Sequence, residues 1–183
     1  MPVELTRAVA LLRGVNVGGN KAVVMTDLRG LLADLGYADV VTLLNSGNAV
    51  FSAAPARLAT AEADVEAALR AKLGVTCSVV VRSGAELVAA MDADPLSEVA
   101  TDPARHLVGF LAAEPGAGVA EWFASVDVAP DQIRLVGRHV YQWAPAGVSN
   151  GPLSKLPWER RLGVAVTSRN VNTLTKLIQL TAQ

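Results

Sequence analysis

The residues with the clearest potential for chemistry form a glycine-rich loop directly after the apolar run Ala8–Leu12. From Arg13 to Lys21 the sequence reads Arg-Gly-Val-Asn-Val-Gly-Gly-Asn-Lys. Glycines let a backbone turn with positive φ and let a ligand approach closely, and cations and amide groups hold anions. Including Asn16 and Asn20, the segment predicts a loop that binds an anion or another polar ligand. A tight connection, with its asparagines capping backbone groups and Arg13 paired to a carboxylate, explains the same residues.

A second polar segment, Asn-Ser-Gly-Asn ending at Asn48, joins two apolar runs. A hairpin turn is its simplest interpretation. In the functional interpretation, the Ser46 hydroxyl and the Asn48 amide face the same ligand as the Arg13 loop. Ser46 is a poor candidate for a nucleophile because a catalytic serine needs a base within hydrogen-bond reach. The two histidines, His106 and His139, lie instead in strand-like segments of the second half of the chain.

A third polar segment, from Ser168 to Thr173, precedes the last predicted helix. Free N–H groups and the helix dipole at such a start attract anions, and the guanidinium group of Arg169 forms a bidentate fork for phosphate or carboxylate. Asn170 and Asn172 would add amide groups to this site. A plain N-cap by Ser168 or Asn170 is the structural alternative.

Other chemistries lack their residue patterns. Neither the Walker A pattern nor the dinucleotide-binding glycine pattern occurs. Two distant histidines and one cysteine, Cys77, do not make a zinc site, so neither a metal nor a cofactor is predicted. Cys77 lies in an apolar run and is expected to be a small buried core residue. A single cysteine forms no disulfide within the chain, which fits a reducing cytoplasm.

Length, composition and charge limit the possible domain organisation and binding partners. With 183 residues, of which 51% are hydrophobic and 4% aromatic, the chain can form one large or two small domains with aliphatic cores. Residues 1–6 lack the pattern of a signal peptide, and the apolar runs are too short or too often interrupted by charge to span a bilayer. The net charge is −1, yet residues 151–183 contain five cations and one acidic residue. The total charge and the lack of a Lys/Arg-rich stripe disfavour non-specific DNA binding, although a nucleotide or short single strand is compatible with the basic C-terminal region.

Apolar periodicity and turn residues predict the same order of elements twice. In the first half, the predicted elements are a strand at 7–14, a helix at 26–35 with Thr26 as its N-cap, a hairpin at 40–44 and 49–52, a helix at 56–73, a strand at 75–81 and a helix at 84–92. In the second half, they are a strand at 106–112, a helix at 116–126, a hairpin at 133–136 and 139–143, a helix from Pro152, a strand at 164–167 and a helix at 171–181. Hairpins require antiparallel neighbours. We therefore predict an α+β fold of two ferredoxin-like βαββαβ halves, at 1–94 and 104–183, with a linker at 95–103.

Three groups of motifs carry a resemblance to a known family. They are Ala10-Leu-Leu-Arg-Gly-Val-Asn-Val-Gly-Gly-Asn-Lys21 with Leu35-Gly-Tyr37, Ser46-Gly-Asn-x-Val-Phe51, and Ser154-Lys-Leu156 with Thr167-Ser-Arg-Asn-Val-Asn-Thr173. In order and spacing they resemble the DUF1697 family of mostly bacterial proteins of unknown function. The resemblance implies an α+β fold with two ferredoxin-like halves and brings no activity or cofactor. At Val171 the chain departs from the tryptophan that the family usually has between two asparagines.

Three hypotheses on function follow. In the first, a cytoplasmic binding protein gathers the three polar segments between its halves into one cationic pocket for a nucleotide, a phosphorylated metabolite or a nucleic-acid backbone. The residues of that pocket would be Arg13, Asn16, Asn20, Lys21, Ser46, Asn48, Arg169, Asn170 and Asn172. In the second, an enzyme acts on a phosphate ester or an amide, and Arg13 and Arg169 stabilise charge. In the third, a structural or interaction protein has no ligand, and its motifs serve only the fold. Its sheet edges would allow a homodimer.

Overall fold

The computed structural model describes residues 4–19 and 21–183. Within these ranges the chain forms two four-stranded antiparallel sheets. The first sheet contains β1 (Thr6–Leu12), β2 (Ala38–Leu43), β3 (Asn48–Ala53) and β4 (Val79–Ser83), in the order β2-β3-β1-β4. The second sheet contains β5 (His106–Leu111), β6 (Gln132–Val136), β7 (His139–Trp143) and β8 (Val166–Asn170), in the order β6-β7-β5-β8.

Helices connect the strands in the order that a ferredoxin-like motif requires. They are α1 (Met25–Asp34), α2 (Pro55–Leu58), α3 (Ala61–Leu73), α4 (Gly84–Asp92), α5 (Val119–Ser125), a 3₁₀ turn (Pro152–Lys155), α6 (Trp158–Leu162) and α7 (Val171–Thr181). The prediction of an α+β fold with two ferredoxin-like halves is therefore confirmed. No helix within 4–19 and 21–183 combines the length and the hydrophobicity needed to cross a membrane.

The chain divides into two compact units. The first unit contains the residues up to Leu87 together with Leu177–Gln183, and the second unit contains Val88–Lys176. The division falls inside α4 and α7, so the C-terminal part of α7 belongs with the beginning of the chain. Within the first unit, Arg7 Nη2 donates a hydrogen bond to the Leu180 carbonyl oxygen over 3.2 Å. The domain limits predicted from the sequence stay a prediction.

The core of the first unit lies between one face of its sheet and the helices α1 and α3. Alternation along β1 places Ala8, Ala10 and Leu12 on this face. They pack in one cluster with leucines of the two helices, among them Leu28 and Leu69. Burial of these aliphatic side chains is the main force that holds the helices on the sheet. The expected aliphatic core is therefore present in this unit.

The core of the second unit is built in the same way. The sheet face that carries Leu111, Val140 and Val166 packs against α5 and α6. Phe123 of α5 and Leu162 of α6 are buried in this cluster. Two polar residues, Gln142 of β7 and Ser168 of β8, lie on the same face.

Two predictions for the first unit are wrong in detail. Thr26 is not an N-cap, because α1 begins at Met25 and the Val24 carbonyl oxygen already accepts the first helical hydrogen bond. The Thr26 hydroxyl instead accepts a hydrogen bond from Arg29 Nη2 over 3.2 Å. The single helix predicted at 56–73 is two helices, α2 and α3.

Two apolar segments are less regular than their sequence indicates. The strand predicted at 75–81 begins only at Val79, because Val75 and Cys77 enter the core from irregular backbone. The helix predicted from Pro152 is a 3₁₀ turn followed by α6. Pro157 separates the two, since a proline has no N–H group with which to continue a helix.

The strand predicted at 164–167 is shifted towards the C-terminus. In the structure β8 ends at Asn170, and Ser168, Arg169 and Asn170 each pair with a residue of β5. Backbone pairing with a central strand therefore overrides the polar character of these three residues. As a result, Ser168 and Arg169 lie in a strand and not in a loop before the last helix.

Candidate functional site

The glycine-rich loop is anchored where it leaves β1. The Arg13 N–H group donates a hydrogen bond to the Ser78 carbonyl oxygen over 2.9 Å, and the Leu12 N–H group donates to the Gly47 carbonyl oxygen over 2.8 Å. The first residues of the loop are thus tied to the segment before β4 on one side and to the β2–β3 hairpin on the other. The backbone of Arg13 is fixed, whereas its side chain is exposed to solvent.

Asn16 closes the loop through its side chain. Asn16 Nδ2 donates hydrogen bonds to the carbonyl oxygens of Val23 (2.8 Å) and Asn45 (2.6 Å), and Asn16 Oδ1 accepts one from the Val23 N–H group (2.8 Å). The Asn16 N–H group also donates to the Lys21 carbonyl oxygen over 3.1 Å. These contacts are those of the structural alternative, in which asparagines of the loop cap backbone groups. Asn20 lies outside the described residues.

Polar residues of the β2–β3 hairpin form hydrogen bonds within the hairpin. Asn48 is fully buried, and its Nδ2 atom donates hydrogen bonds of 2.9 Å to the Leu43 carbonyl oxygen and to Ser46 Oγ. The predicted hairpin is confirmed. Gly47 at its tip has a φ of 79°, and a Cβ atom there would lie 2.6 Å from Val15 Cγ2. The hairpin therefore packs closely on the glycine-rich loop.

A cleft of about 230 Å³ opens beside this loop, within the first unit. We call it the cationic cleft. It is lined by Arg13, Lys21, Glu66, Arg70, Thr76, Cys77 and Ser78. The loop supplies Arg13 and Lys21, α3 supplies Glu66 and Arg70, and the irregular segment before β4 supplies the rest. The loop cations predicted from the sequence are thus joined by side chains from distant parts of the chain.

The charge of the cationic cleft is positive. Among the described residues, Arg13, Lys21 and Arg70 line it with three cations, and Glu66 is the single carboxylate. Glu66 Oε1 accepts a hydrogen bond from the Val79 N–H group over 2.8 Å, so this carboxylate also serves the start of β4. A small anion entering the cleft would meet an excess of positive charge.

Cys77 lies at the junction of the cationic cleft and the core. Its predicted burial is confirmed, because it packs in the core cluster of the first unit. Burial raises the pKa of the Cys77 thiol above its ordinary value, while the Lys21 ammonium group opposes that rise more weakly. The thiol is therefore protonated at neutral pH and is a weak nucleophile there.

The residues of the third polar segment belong to the second unit. Burial lowers the pKa of Arg169 to about 10, so its guanidinium group still carries a charge at neutral pH. Asn170 Oδ1 accepts a hydrogen bond from the Thr173 N–H group over 2.9 Å, which confirms Asn170 as the N-cap of α7. Ser168 is not an N-cap, because it pairs within β8. Asn172 is exposed on the first turn of α7.

Comparison with known proteins assigns the family. The family model described as "Protein of unknown function (DUF1697)" matches residues 5–141. The chain belongs to the DUF1697 family. Among solved structures, the DUF1697 protein is similar to the conserved bacterial protein SP0830 from Streptococcus pneumoniae, with 26% sequence identity and a TM-score of 0.72. The similarity covers 97% of this chain and 99% of that one. No curated protein matches the sequence.

These comparisons do not test whether the DUF1697 protein binds a ligand, so ligand binding stays a prediction. The gathering of Arg169, Asn170 and Asn172 with the Arg13 loop into one pocket also stays a prediction, as do the homodimer and the cytoplasmic location. Within residues 4–19 and 21–183, no group of three or more His, Cys, Asp and Glu side chains is arranged to hold a metal ion.

Sequence reasoning missed a buried pair in the second unit of the DUF1697 protein. His106 Nε2 lies 2.9 Å from Asp94 Oδ2, and both side chains are buried. Asp94 Oδ1 also accepts a hydrogen bond from the Leu96 N–H group over 2.9 Å. The two prolines and three acidic residues from Asp94 to Pro103 had indicated a linker. Only the buried strand position of His106 could have indicated that it needed a polar partner.

Proposed function

We propose that this DUF1697 protein is a cytoplasmic binding protein for a small anion, which it holds in the cationic cleft of the first unit. One observation carries the proposal: Arg13, Lys21 and Arg70 line one small cleft with a single carboxylate among them. Like charges placed together repel one another, so such a cluster lowers folding stability unless a bound anion offsets the repulsion. The phosphate group is the anion whose charge and geometry best suit this set.

The chemistry of the lining supports a phosphate or phosphate ester. Guanidinium groups bind phosphate oxygens through two parallel hydrogen bonds, and Lys21 adds a point charge. The Thr76 and Ser78 hydroxyl groups can donate to further oxygens of the same group. Glu66 would repel an anion placed directly against it, which restricts the bound group to the side of the cleft where the cations lie.

The volume of the cationic cleft restricts the ligand. About 230 Å³ is below the range of roughly 300–1,000 Å³ that is typical of sites enclosing a drug-sized molecule. We therefore propose that the cleft holds one phosphate group, with the remainder of a phosphorylated metabolite or a nucleotide lying outside it. The small footprint does not favour a long nucleic-acid backbone, which needs several phosphate contacts.

Thermal unfolding with added inorganic phosphate or pyrophosphate tests the proposal. A ligand present at 100 times its dissociation constant stabilises a protein by about 2.7 kcal/mol, which corresponds to a rise in Tm of roughly 5–10 °C for a chain of this size. We expect this rise for the native protein. Arg13→Gln and Arg70→Gln should each reduce it by half or more.

Arg134→Gln is the matched control, because it makes the same change at an exposed arginine of the second unit. This variant should keep the full rise in Tm. If the native protein shows no rise with either anion, or if Arg134→Gln loses it as strongly as Arg13→Gln, the cationic cleft is not the binding site. Isothermal titration calorimetry on the same variants separates binding from a general salt effect.

A further inference from the structure

The second unit contains a larger cleft of different chemistry, with a volume of about 420 Å³. We call it the Gln142 cleft. Its lining includes Gln142, Ser154, Trp158, Glu159, Arg160 and Ser168 beside several leucines. Most of these side chains are apolar or uncharged, in contrast to the cationic cleft. Of the three polar segments singled out from the sequence, only the third reaches this cleft, through Ser168.

The floor of the Gln142 cleft is a polar interruption of an apolar sheet face. Leu107 pairs with Gln142, and Ser168 pairs with Gly109 two residues along β5, so all of them share one face. This is the face that packs against α5 and α6 in the core. Gln142 is only 4% exposed, and burying an amide group without full hydrogen bonding is unfavourable.

The hydrogen bonding of Gln142 is incomplete within the described residues. Its Nε2 atom donates to Ser168 Oγ over 3.4 Å, which is long for a hydrogen bond. A carboxamide offers two N–H donors and a carbonyl oxygen with two lone pairs. A buried amide at the base of a cleft therefore has donor and acceptor capacity directed at whatever occupies that cleft.

One wall of the cleft is held in place before any ligand binds. Asp131 Oδ2 accepts a hydrogen bond from the Leu153 N–H group over 2.9 Å and so fixes the 3₁₀ turn. Gly151 precedes that turn, and a Cβ atom at this position would overlap the Asp131 carboxylate. Trp158, at the start of α6, is largely buried in the same wall. A preformed wall lowers the entropy that binding would otherwise lose.

We propose that the Gln142 cleft binds an uncharged planar heterocycle with a hydrogen-bond donor and acceptor side by side, the chemical class of nucleobases and cyclic amides. The Gln142 amide presents a matching acceptor and donor in one plane, as glutamine does to an adenine edge. The Trp158 ring and the leucines supply apolar and aromatic contact for the ring faces. Glu159 and Arg160 place opposite charges on the lining, so the site has no net preference for an ion.

Ligand-detected NMR tests this proposal with three probes, uracil, adenine and nicotinamide, followed by calorimetric titration of any compound that binds. We expect at least one probe to bind the native protein. Gln142→Leu keeps the volume of the side chain and removes the amide. It should raise the Kd of the bound probe about ten-fold or more. Gln132→Leu is the matched control, because Gln132 pairs with Trp143 on the opposite face of the same sheet and should leave Kd unchanged.

Ser154→Trp provides an independent arm, since Ser154 is exposed at the cleft and a bulky side chain there should block entry without touching the floor. The Tm of each variant shows that it is folded. Absence of binding by all three probes overturns the proposal, and so does equal binding by Gln142→Leu and Gln132→Leu or unchanged binding by Ser154→Trp. The proposal does not rest on the cationic cleft, which lies in the other unit and takes an anion.

Discussion

Asn16 and Asn45 are joined by a hydrogen bond of 2.6 Å from the Asn16 side-chain Nδ2 atom to the Asn45 carbonyl oxygen. Through it, a residue of the glycine-rich loop holds the tip of the β2–β3 hairpin. The same side chain spans the loop by two hydrogen bonds to Val23. Asn16 also has a φ of 56°, a conformation that asparagine adopts more readily than most residues with a Cβ atom.

We expect Asn16→Ala to lower the free energy of unfolding by about 1–3 kcal/mol, because it removes these hydrogen bonds and places alanine in the left-handed region. Asn16→Gly removes the same hydrogen bonds but tolerates the positive φ, and it should be the milder change. Urea unfolding of both variants measures the difference. Equal stability of Asn16→Ala and the native protein would show that the loop closes without this side chain.

Gly47 allows the hairpin tip to approach the loop. A Cβ atom there would lie 2.6 Å from Val15 Cγ2 and 2.7 Å from Leu12 Cβ. Gly18 has a comparable φ of 64°, but among the described residues nothing lies within 4 Å of its Cβ position. Gly18→Ala should therefore cost only the strain of a left-handed alanine, about 1 kcal/mol, whereas Gly47→Ala adds overpacking of roughly 1–3 kcal/mol. Thermal or urea unfolding compares the two, and similar losses would contradict the close packing.

Cys77 reports on both burial and the charge of the cationic cleft. Its pKa is raised mainly by burial, so at any pH below that pKa the thiolate fraction is smaller than in a free cysteine. Alkylation by iodoacetamide should be slow at neutral pH and should still increase with pH beyond the midpoint of a free thiol. Because Cys77 is the only cysteine, intact-mass measurement follows this one site. A midpoint at or below that of a free thiol would refute the expectation.

Inorganic phosphate should change the alkylation rate of Cys77. An anion in the cationic cleft would disfavour a neighbouring thiolate and cover the thiol, so it should slow alkylation further. Sodium chloride at matched ionic strength is the control for screening. Equal rates with phosphate and with chloride would count against occupation of this cleft.

Tyr141 makes the stability of the second unit sensitive to alkaline pH. Burial, and to a smaller extent the charge of Asp94, raise its pKa from 10.0 to about 12. The folded state therefore holds the phenol proton more tightly than the unfolded state, so the contribution is complete below pH 10 and is lost between pH 10 and about 12. The hydroxyl donates a hydrogen bond of 2.7 Å to the Ala90 carbonyl oxygen.

Tyr141→Phe should lower the free energy of unfolding at neutral pH by about 1 kcal/mol, because the Ala90 carbonyl oxygen loses its donor. It should also reduce the fall in stability above pH 10. Urea unfolding at neutral and alkaline pH gives both quantities. An undiminished alkaline loss in the variant would assign that loss to other groups.

Local patterns in the sequence account for most of the fold. The apolar run of β1 and the turn residues between elements depend on neighbouring residues, and so the two βαββαβ units could be predicted. The extension of β8 through Asn170 could not, because it depends on pairing with β5. The start of α1 was predicted one residue too late, because the Val24 carbonyl oxygen accepts the first helical hydrogen bond and the Thr26 side chain does not cap the helix.

The lining of the candidate site, the cationic cleft, could be predicted only in part, because some of its residues come from distant parts of the chain. Arg13 and Lys21 could be identified because they flank glycines after a buried strand. Arg70 and Thr76 could not, because they reach the cationic cleft from α3 and from the segment before β4. The position of Gln142 in a cleft could not be predicted for another reason. Only the register of the sheet shows which face a polar residue of an apolar strand lies on and which residues surround it.

The contact between Arg7 and the Leu180 carbonyl oxygen spans 173 positions of the chain. The first unit includes Leu177–Gln183, so a ribosome has to synthesise the whole second unit before the first unit can acquire all of its native contacts. While the second unit is being synthesised, the residues up to Leu87 lack their contacts with Leu177–Gln183. A truncation that removes Leu177–Gln183 would therefore take contacts away from the first unit, although the break lies after the second.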